Sequence, residues 1–96
     1  MEDKKGLIQT EVIGSYLSNK EVFTICYIKI ADLEIYDLNV YELTSRKGQR
    51  IEFRAKPLLN KRFLKSDTSV EDILNFIKDE YGDIRKIEKG EIQWNI

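Results

Sequence analysis

The sequence predicts one α+β domain, an antiparallel sheet of four to five strands in the order β-β-β-β-α-β with one helix packed on one face. Three observations predict this fold. Residues 21–30 alternate apolar side chains on both faces, which is typical of a central strand. Residues 69–81 repeat apolar side chains at helical spacing. The connections between strand-like segments are about two to six residues long, as in an antiparallel meander.

The first half of the chain predicts three strands. The first covers residues 7–17, with Gly14 as a bulge or a point of close approach. After the turn at residues 18–20, the second strand has two apolar faces. One face carries Val22, Thr24, Cys26, Ile28 and Ile30, and the other carries Phe23, Ile25 and Tyr27. Residues 33–43 form a third extended segment, which we expect to be interrupted near Asp37.

A loop and a fourth strand follow. Residues 44–49, TSRKGQ, predict a loop, because Gly48 can take positive φ. Residues 50–56 alternate cleanly and predict a strand that Pro57 ends, since proline cannot donate to the ladder. Its core-facing residues would be Ile51, Phe53 and Ala55, and its outward residues Arg50, Glu52, Arg54 and Lys56. Residues 58–66 then form a loop.

The helix is predicted over residues 69–81. Thr68 and Glu71 fit a capping box, and Gly82 is the expected stop. Its apolar stripe consists of Val70, Ile73, Leu74, Ile77 and Tyr81. Beyond it, Gly90 can turn a hairpin into a last strand, in which Ile92, Trp94 and Ile96 alternate.

Length and composition limit the class of protein. A chain of 96 residues fits one domain, which we place at residues 7–96 after a polar, disordered stretch at residues 1–6. No apolar run approaches the roughly 18–20 residues that span a bilayer, and MEDKKGLIQT lacks the apolar core of a signal peptide. We therefore expect a cytoplasmic protein without a membrane partner. Cys26 is the single cysteine, so we expect a small buried hydrophobe rather than a disulfide.

The sequence predicts no enzyme, metal or cofactor. It contains no histidine, which removes the usual general base and the commonest transition-metal ligand. It also has no Gly-rich phosphate loop and no zinc-ligand spacing. A nuclease built from Asp37, Glu52 and Lys56 matches no motif. The carboxylates on the helix are typical of a solvated face, and the helix dipole favours those in the first turn. They are Glu71, Asp72, Asp79 and Glu80.

Charge is concentrated in one segment. Residues 46–65 contain eight cations and one carboxylate, a local charge of +7, whereas the whole chain has a net charge of −1. The cations are Arg46, Lys47, Arg50, Arg54, Lys56, Lys61, Arg62 and Lys65. Such a basic lobe fits phosphates, since each contact releases counterions. An acidic protein surface, or a solvated face that protects an edge strand, explains the same charges.

Two aromatic residues lie within this basic lobe. Aromatic side chains among cations can stack on unpaired bases. Phe53 alternates with outward charges and is expected in the core, whereas Phe63 fits either the core or a stacking role.

Between Val12 and Tyr81 five pieces follow one another in the order VIGSYLSNK, VFTICYIKI, ADLEIYDLNVYEL, RIEFRAKP and DILNFIKDEY. In this order of pieces the segment resembles the stage V sporulation protein G family of bacterial regulators. Lys56 stands where the family commonly has methionine before proline, and FLKSDTSV lacks the family's histidine-proline element. The resemblance implies a small sheet with a C-terminal helix, often a homodimer, that binds nucleic acid through basic residues. It identifies no individual contact residue here.

A second class of protein fits the composition. A compact acidic domain rich in Ile, Lys, Glu and Asn is similar to phage and plasmid inhibitors of bacterial defence, including anti-CRISPR proteins. The basic lobe would then contact an acidic groove of a protein, or the RNA of a ribonucleoprotein. The sequence therefore predicts a regulatory binding protein whose partner is nucleic acid, or alternatively an inhibitor that blocks a host protein.

Overall fold

The computed structural model describes residues 8–47, 50–88 and 90–91, and these form a six-stranded antiparallel sheet with one helix. The elements are β1 (Ile8–Leu17), β2 (Glu21–Ile30), β3 (Leu33–Lys47), β4 (Arg50–Phe53), β5 (Leu59–Leu64), α1 (Val70–Tyr81) and β6 (Arg85–Lys86). The strand order is β4-β3-β2-β1-β6, and β5 also pairs with β3. The predicted fold class is confirmed. No helix within these ranges is long and apolar enough to cross a membrane.

The strands β1, β2 and β3 form the predicted meander. β2 lies between the other two and pairs with β3 from Glu21–Glu42 to Ile30–Leu33. The register of β1 shifts between Val12 and Gly14, and a Cβ on Gly14 would lie 2.9 Å from the Tyr16 hydroxyl. Both the bulge and the close approach predicted at Gly14 are confirmed.

β3 is longer than the sequence predicted. It runs through Asp37 without interruption and continues to Lys47, so the predicted break and most of the predicted loop at residues 44–49 are wrong. Pairing on both edges keeps Asp37 extended, because Cys26 of β2 and Arg62 of β5 lie opposite it. The register with β4 shifts between Leu43 and Ser45. Residues 48–49 of the predicted loop lie outside the described residues.

β4 and β5 lie end to end along one edge of β3. β4 pairs with residues 43–47 and β5 with residues 35–40. Residues 54–58 bend between them, although Arg54 N donates to Glu42 O at 3.0 Å and Leu58 N to Val40 O at 2.7 Å. The predicted strand over residues 50–56 therefore ends at Phe53, and the bend leaves Ala55 exposed instead of in the core.

β5 corrects a second prediction in this segment. The sequence predicts a loop over residues 58–66. Instead, residues 59–64 form a strand, since the free edge of β3 accepts a second partner once the chain has passed Pro57.

Helix α1 begins at Val70, one residue later than predicted, and its cap is likewise shifted by one residue. The cap is Ser69, whose Oγ accepts a hydrogen bond from Asp72 N at 3.1 Å. The Asp72 carboxylate accepts in return from Ser69 N at 3.0 Å, so the predicted Thr68–Glu71 box is wrong by one position. The predicted stop is confirmed: Gly82 has a φ of 89° and donates to Lys78 O at 2.9 Å.

The helix covers one face of the sheet, here called the helix face. A single apolar cluster forms there from Phe23, Ile25, Leu38, Val40, Ile73 and Ile77, all of them fully buried. The ring of Tyr81 meets Phe23 edge-on at 5.1 Å. The predicted helix stripe therefore meets one of the two predicted apolar faces of β2, the face that carries Phe23 and Ile25.

A second cluster closes one end of the opposite face, here called the far face. It contains Leu17, Val22, Tyr41, Ile51 and Ile87, with Leu43 and Phe53 against it. The segment after the helix holds it closed: Ile87 N donates to Ser15 O at 2.8 Å, and Ile51 N donates to Glu91 O at 3.0 Å. Residues 85–88 and 90–91 therefore bridge β1 to β4. The last strand predicted over residues 92–96 lies outside the described residues, and β6 forms earlier, at residues 85–86.

Candidate binding surface

The edge formed by β4, the bend and β5 displays the basic lobe. Six exposed cations follow this line and are here called the cationic edge: Arg50, Arg54, Lys56, Lys61, Arg62 and Lys65. Arg46 and Lys47 lie opposite Ile51 and Arg50 in the β3–β4 register, but their side chains lie outside the described part of the structure. The fold thus places six of the eight predicted site residues along one edge of the sheet.

Three of these cations pair with carboxylates of β3. Arg54 lies 3.2 Å from Glu42, Arg62 lies 3.1 Å from Asp37, and Lys65 lies 3.8 Å from Glu34. Exposed ion pairs each contribute about 0–1 kcal/mol to stability. The Arg54–Glu42 and Lys65–Glu34 pairs are exposed, whereas Asp37 is buried. The three pairs have a larger effect on the electrostatic potential of the cationic edge, because they place carboxylates of β3 directly beside the basic lobe. The sequence reveals the excess charge but not this partial compensation.

The other three cations make no ion pair with any residue the structure describes. Arg50 and Lys56 are exposed on β4 and in the bend. The ammonium of Lys61 lies over two rings on the helix face, 5.6 Å from the centroid of Phe63 and 5.1 Å from that of Phe76. Such cation–π contacts fix the position of the charge without neutralising it.

A polar cluster on the far face attaches β5 to β3. The Asp37 carboxylate accepts hydrogen bonds from Asn39 at 3.0 Å, from Asn60 at 2.9 Å and from the Arg62 Nε at 3.1 Å. Within the described residues, no buried side-chain nitrogen or oxygen lacks a partner. A carboxylate satisfied in this way is typical of a structural role. Sequence reasoning missed the cluster because Asn60 and Arg62 stand two apart in a segment predicted as a loop.

Beyond this polar cluster the far face is apolar and exposed. Five large side chains there are between 43% and 64% exposed: Ile8, Val12, Ile30, Leu33 and Leu64. Cross-strand pairing joins Ile8 to Ile30 and Ile30 to Leu33, so these three side chains are contiguous. Cys26 stands between the polar cluster and this patch and is half-buried. Burial, reinforced by Asp37, raises the pKa of its thiol.

The two aromatic residues of the basic lobe have different positions. Phe53 packs against Tyr41 at a ring distance of 5.0 Å in the second cluster, which confirms its predicted core position. Phe63 is half-buried on the helix face, 6.2 Å from Phe76, with Tyr36 opposite it on β3. Phe63 therefore packs on the core while keeping an accessible part.

The residues considered for a nuclease are not brought together. On β3, Asp37 lies eight residues from Ser45, the partner of Glu52, which is about 26 Å at the rise of an extended strand. Lys56 lies in the bend between β4 and β5. Among the residues described here, no group of three or more Cys, Asp and Glu side chains is arranged to hold a metal ion.

Comparison of the chain with protein families, with curated proteins and with solved structures found no match. The resemblance to the stage V sporulation protein G family therefore stays a prediction.

Proposed function

We propose that the protein is a small, non-enzymatic binding protein that docks on nucleic acid through the cationic edge. The observation that carries this proposal is the line of six exposed cations on β4, the bend and β5. Three of them, Arg50, Lys56 and Lys61, stand outside any ion pair of the described residues. Lys and Arg side chains in a line can each neutralise one phosphate of a polynucleotide.

The ion pairs of the edge are compatible with phosphate binding. Both Arg54 and Arg62 contact their carboxylates through Nε. Their terminal amino groups donate no hydrogen bond to a described residue, and these are the donors that form strong, charge-assisted bonds to phosphate. Glu42 and Asp37 therefore orient the two guanidinium groups and leave their outer donors accessible.

The proposal is tested by binding to labelled DNA and RNA over a range of salt. The logarithm of the affinity should fall linearly with that of the salt concentration, with a slope of about −0.9 per neutralised phosphate on duplex and about −0.7 on single strands. Reversing Arg50, Arg54 and Lys56 to Glu should abolish binding and leave the melting temperature nearly unchanged, because all three are exposed.

The matched control reverses three exposed lysines elsewhere, Lys20, Lys78 and Lys86. It changes the net charge equally and should retain binding if the edge is the site. Wild-type affinity in the edge variant at physiological salt would reject the proposal. The edge charges would then serve only to keep a free strand from pairing with other chains.

An inhibitor of a host defence protein is the second candidate. The observation that favours it is the exposed apolar patch on the far face, since such patches often mark protein contacts. Pull-down from a bacterial lysate with and without nuclease separates the two functions. A partner retained after nuclease treatment favours the inhibitor, and in that case the edge reversal should mainly slow association.

A further inference from the structure

Three aromatic side chains form a row across the helix face. Tyr27 of β2 lies opposite Tyr36 of β3, and Tyr36 lies opposite Phe63 of β5. The rings of the two tyrosines are 6.3 Å apart and tilted by 59°. Because cross-strand neighbours on one face lie side by side, the row runs from the middle of the sheet directly to the cationic edge.

The helix leaves part of this row accessible. Tyr36 and Phe63 pack against the helix-face cluster on one side, whereas Tyr27 does not belong to that cluster. All three side chains are half-buried and so keep accessible surface. A hydrogen bond of 2.5 Å from the Tyr27 hydroxyl to Glu34 holds the ring of Tyr27 in position. The row is thus a set of oriented rings at the border of the core.

Charge around the row is asymmetric. Lys61 of β5 shares the face of Phe63 and belongs to no ion pair of the described residues, and Lys65, just beyond β5, lies 3.8 Å from Glu34. At the other end of the row, Glu11 of β1 lies opposite Tyr27, and Lys29 of β2 lies opposite Glu34. The excess positive charge is therefore at β5, where a polyanion would keep its backbone.

We infer that Tyr27, Tyr36 and Phe63 are a stacking site for unpaired bases, so that the ligand of the cationic edge is single-stranded nucleic acid. This inference rests on the proposed function and adds the ligand class. The spacing supports it: 6.3 Å between the tyrosine rings is almost twice the roughly 3.4 Å rise of stacked bases. Two neighbouring bases can stack on separate rings only if they are not stacked on each other. The bases of a duplex are stacked and paired, so they cannot bind in this way.

The test compares a single-stranded oligonucleotide with a hairpin of the same length, using the full chain. Replacing Tyr27 and Tyr36 by Leu keeps apolar volume and removes the ring faces. Each lost base–aromatic contact should weaken single-strand binding by about 5- to 150-fold. The matched variants, Tyr27→Phe and Tyr36→Phe, keep the ring faces, so each should lose much less affinity than the corresponding Leu variant, although Tyr27→Phe also removes the bond to Glu34. A purely structural role of the hydroxyl groups would predict the opposite order.

The stability risk differs between the two positions. Tyr36 packs against the helix-face cluster, so replacing it can destabilise the fold. Tyr27 lies outside that cluster, and Tyr27→Leu is therefore also tested alone. A bromouracil-substituted oligonucleotide provides a second readout that needs no variant. Ultraviolet crosslinks should map to the peptides that contain Tyr27 or Tyr36.

The outcomes separate the two claims. Full single-strand affinity in the Leu variants, with binding still abolished by the edge reversal, would reject the stacking site and leave the proposed function standing. Equal affinity for the hairpin would reject it in the same way. Absence of binding to any nucleic acid by the unmodified protein would reject both.

Discussion

Tyr27 and Glu34 are joined across the β2–β3 hairpin by a hydrogen bond of 2.5 Å from the phenol to a carboxylate oxygen. The bond is diagonal, since Tyr27 pairs with Tyr36 and Glu34 pairs with Lys29. It raises the pKa of Tyr27 to about 12 and lowers that of Glu34. The carboxylate of Glu34 thus stabilises the protonated phenol, and the phenol stabilises the ionised carboxylate.

Replacing Glu34 with Gln should lower the pKa of Tyr27 toward the usual value of about 10 for tyrosine. Because the folded-state pKa of Tyr27 is raised, the stabilisation from this bond is fully present below pH 10 and is lost as pH rises through about 12. Phenolate absorbance during alkaline titration measures the effect. One of the five tyrosines should ionise at lower pH in the variant than in the parent, and superimposable titrations would contradict the bond.

The cap of the helix predicts an unequal effect of two neighbouring hydroxyl groups. Ser69→Ala should cost about 1 kcal/mol, because it removes the acceptor for the Asp72 amide. Thr68→Ala should cost much less, since Thr68 is not the cap. Urea denaturation of both variants measures the difference. Equal losses would show that the cap is shared or misplaced.

The same cap predicts a dependence on acid. The hydrogen bonds from Ser69, chiefly from its backbone, lower the pKa of Asp72 below 3.8. A depressed folded-state pKa stabilises the protein above the unfolded value, and that stabilisation is lost as pH falls through the folded value. The parent should therefore lose this contribution below about pH 3.8, whereas Asp72→Asn should not show it. Denaturation midpoints from pH 5 to pH 2 provide the measurement.

The helix-face core should depend strongly on two isoleucines. Ile73 and Ile77 are fully buried, so replacing either with Ala should cost roughly 2–5 kcal/mol through lost contacts and a residual cavity. Asn75 lies between them on the exposed side of α1, and Asn75→Ala should change stability by less than about 0.5 kcal/mol. Losses below about 0.5 kcal/mol at both isoleucines would contradict the packing of α1 on the sheet.

Closure of the far face should respond to Ile87. This side chain is 7% exposed in the second cluster, and Ile87→Ala should increase exchange at the amides of Ile51 and Ile87, whose hydrogen bonds hold residues 85–91. The Ile25 amide, in the middle of the sheet, should keep its protection. Hydrogen exchange followed by NMR checks this. Uniform loss of protection at all three amides would show that the closure does not open separately.

Pattern and cap signals predicted the elements whose structure is decided locally. The two apolar faces of β2 and the stripe through Ile73 and Ile77 appear where the alternation placed them. The predicted break at Asp37 failed because a buried carboxylate looks like a strand breaker until its partners are known. Asn60 and Arg62, more than 20 residues away, supply those partners.

The candidate site was predictable in composition but not in arrangement. The +7 excess identified the segment, yet nothing local indicated that LNKRFL would pair as a strand after Pro57. That pairing depends on the length of β3, which provides one edge for two successive strands. It also brings Glu34, Asp37 and Glu42 beside the cations, a compensation that charge counting along the chain cannot detect.

The two apolar clusters lie on opposite faces of the sheet and share no residue, so they need not form together. The helix-face cluster is complete once the chain as far as Ile84 has been synthesised. The second cluster is held closed by hydrogen bonds between Ser15 and Ile87 and between Ile51 and Glu91, both of which need the segment that follows Ile84. The far face can thus close in a separate step, after β1 to α1 have assembled and when residues 85–88 and 90–91 reach the sheet.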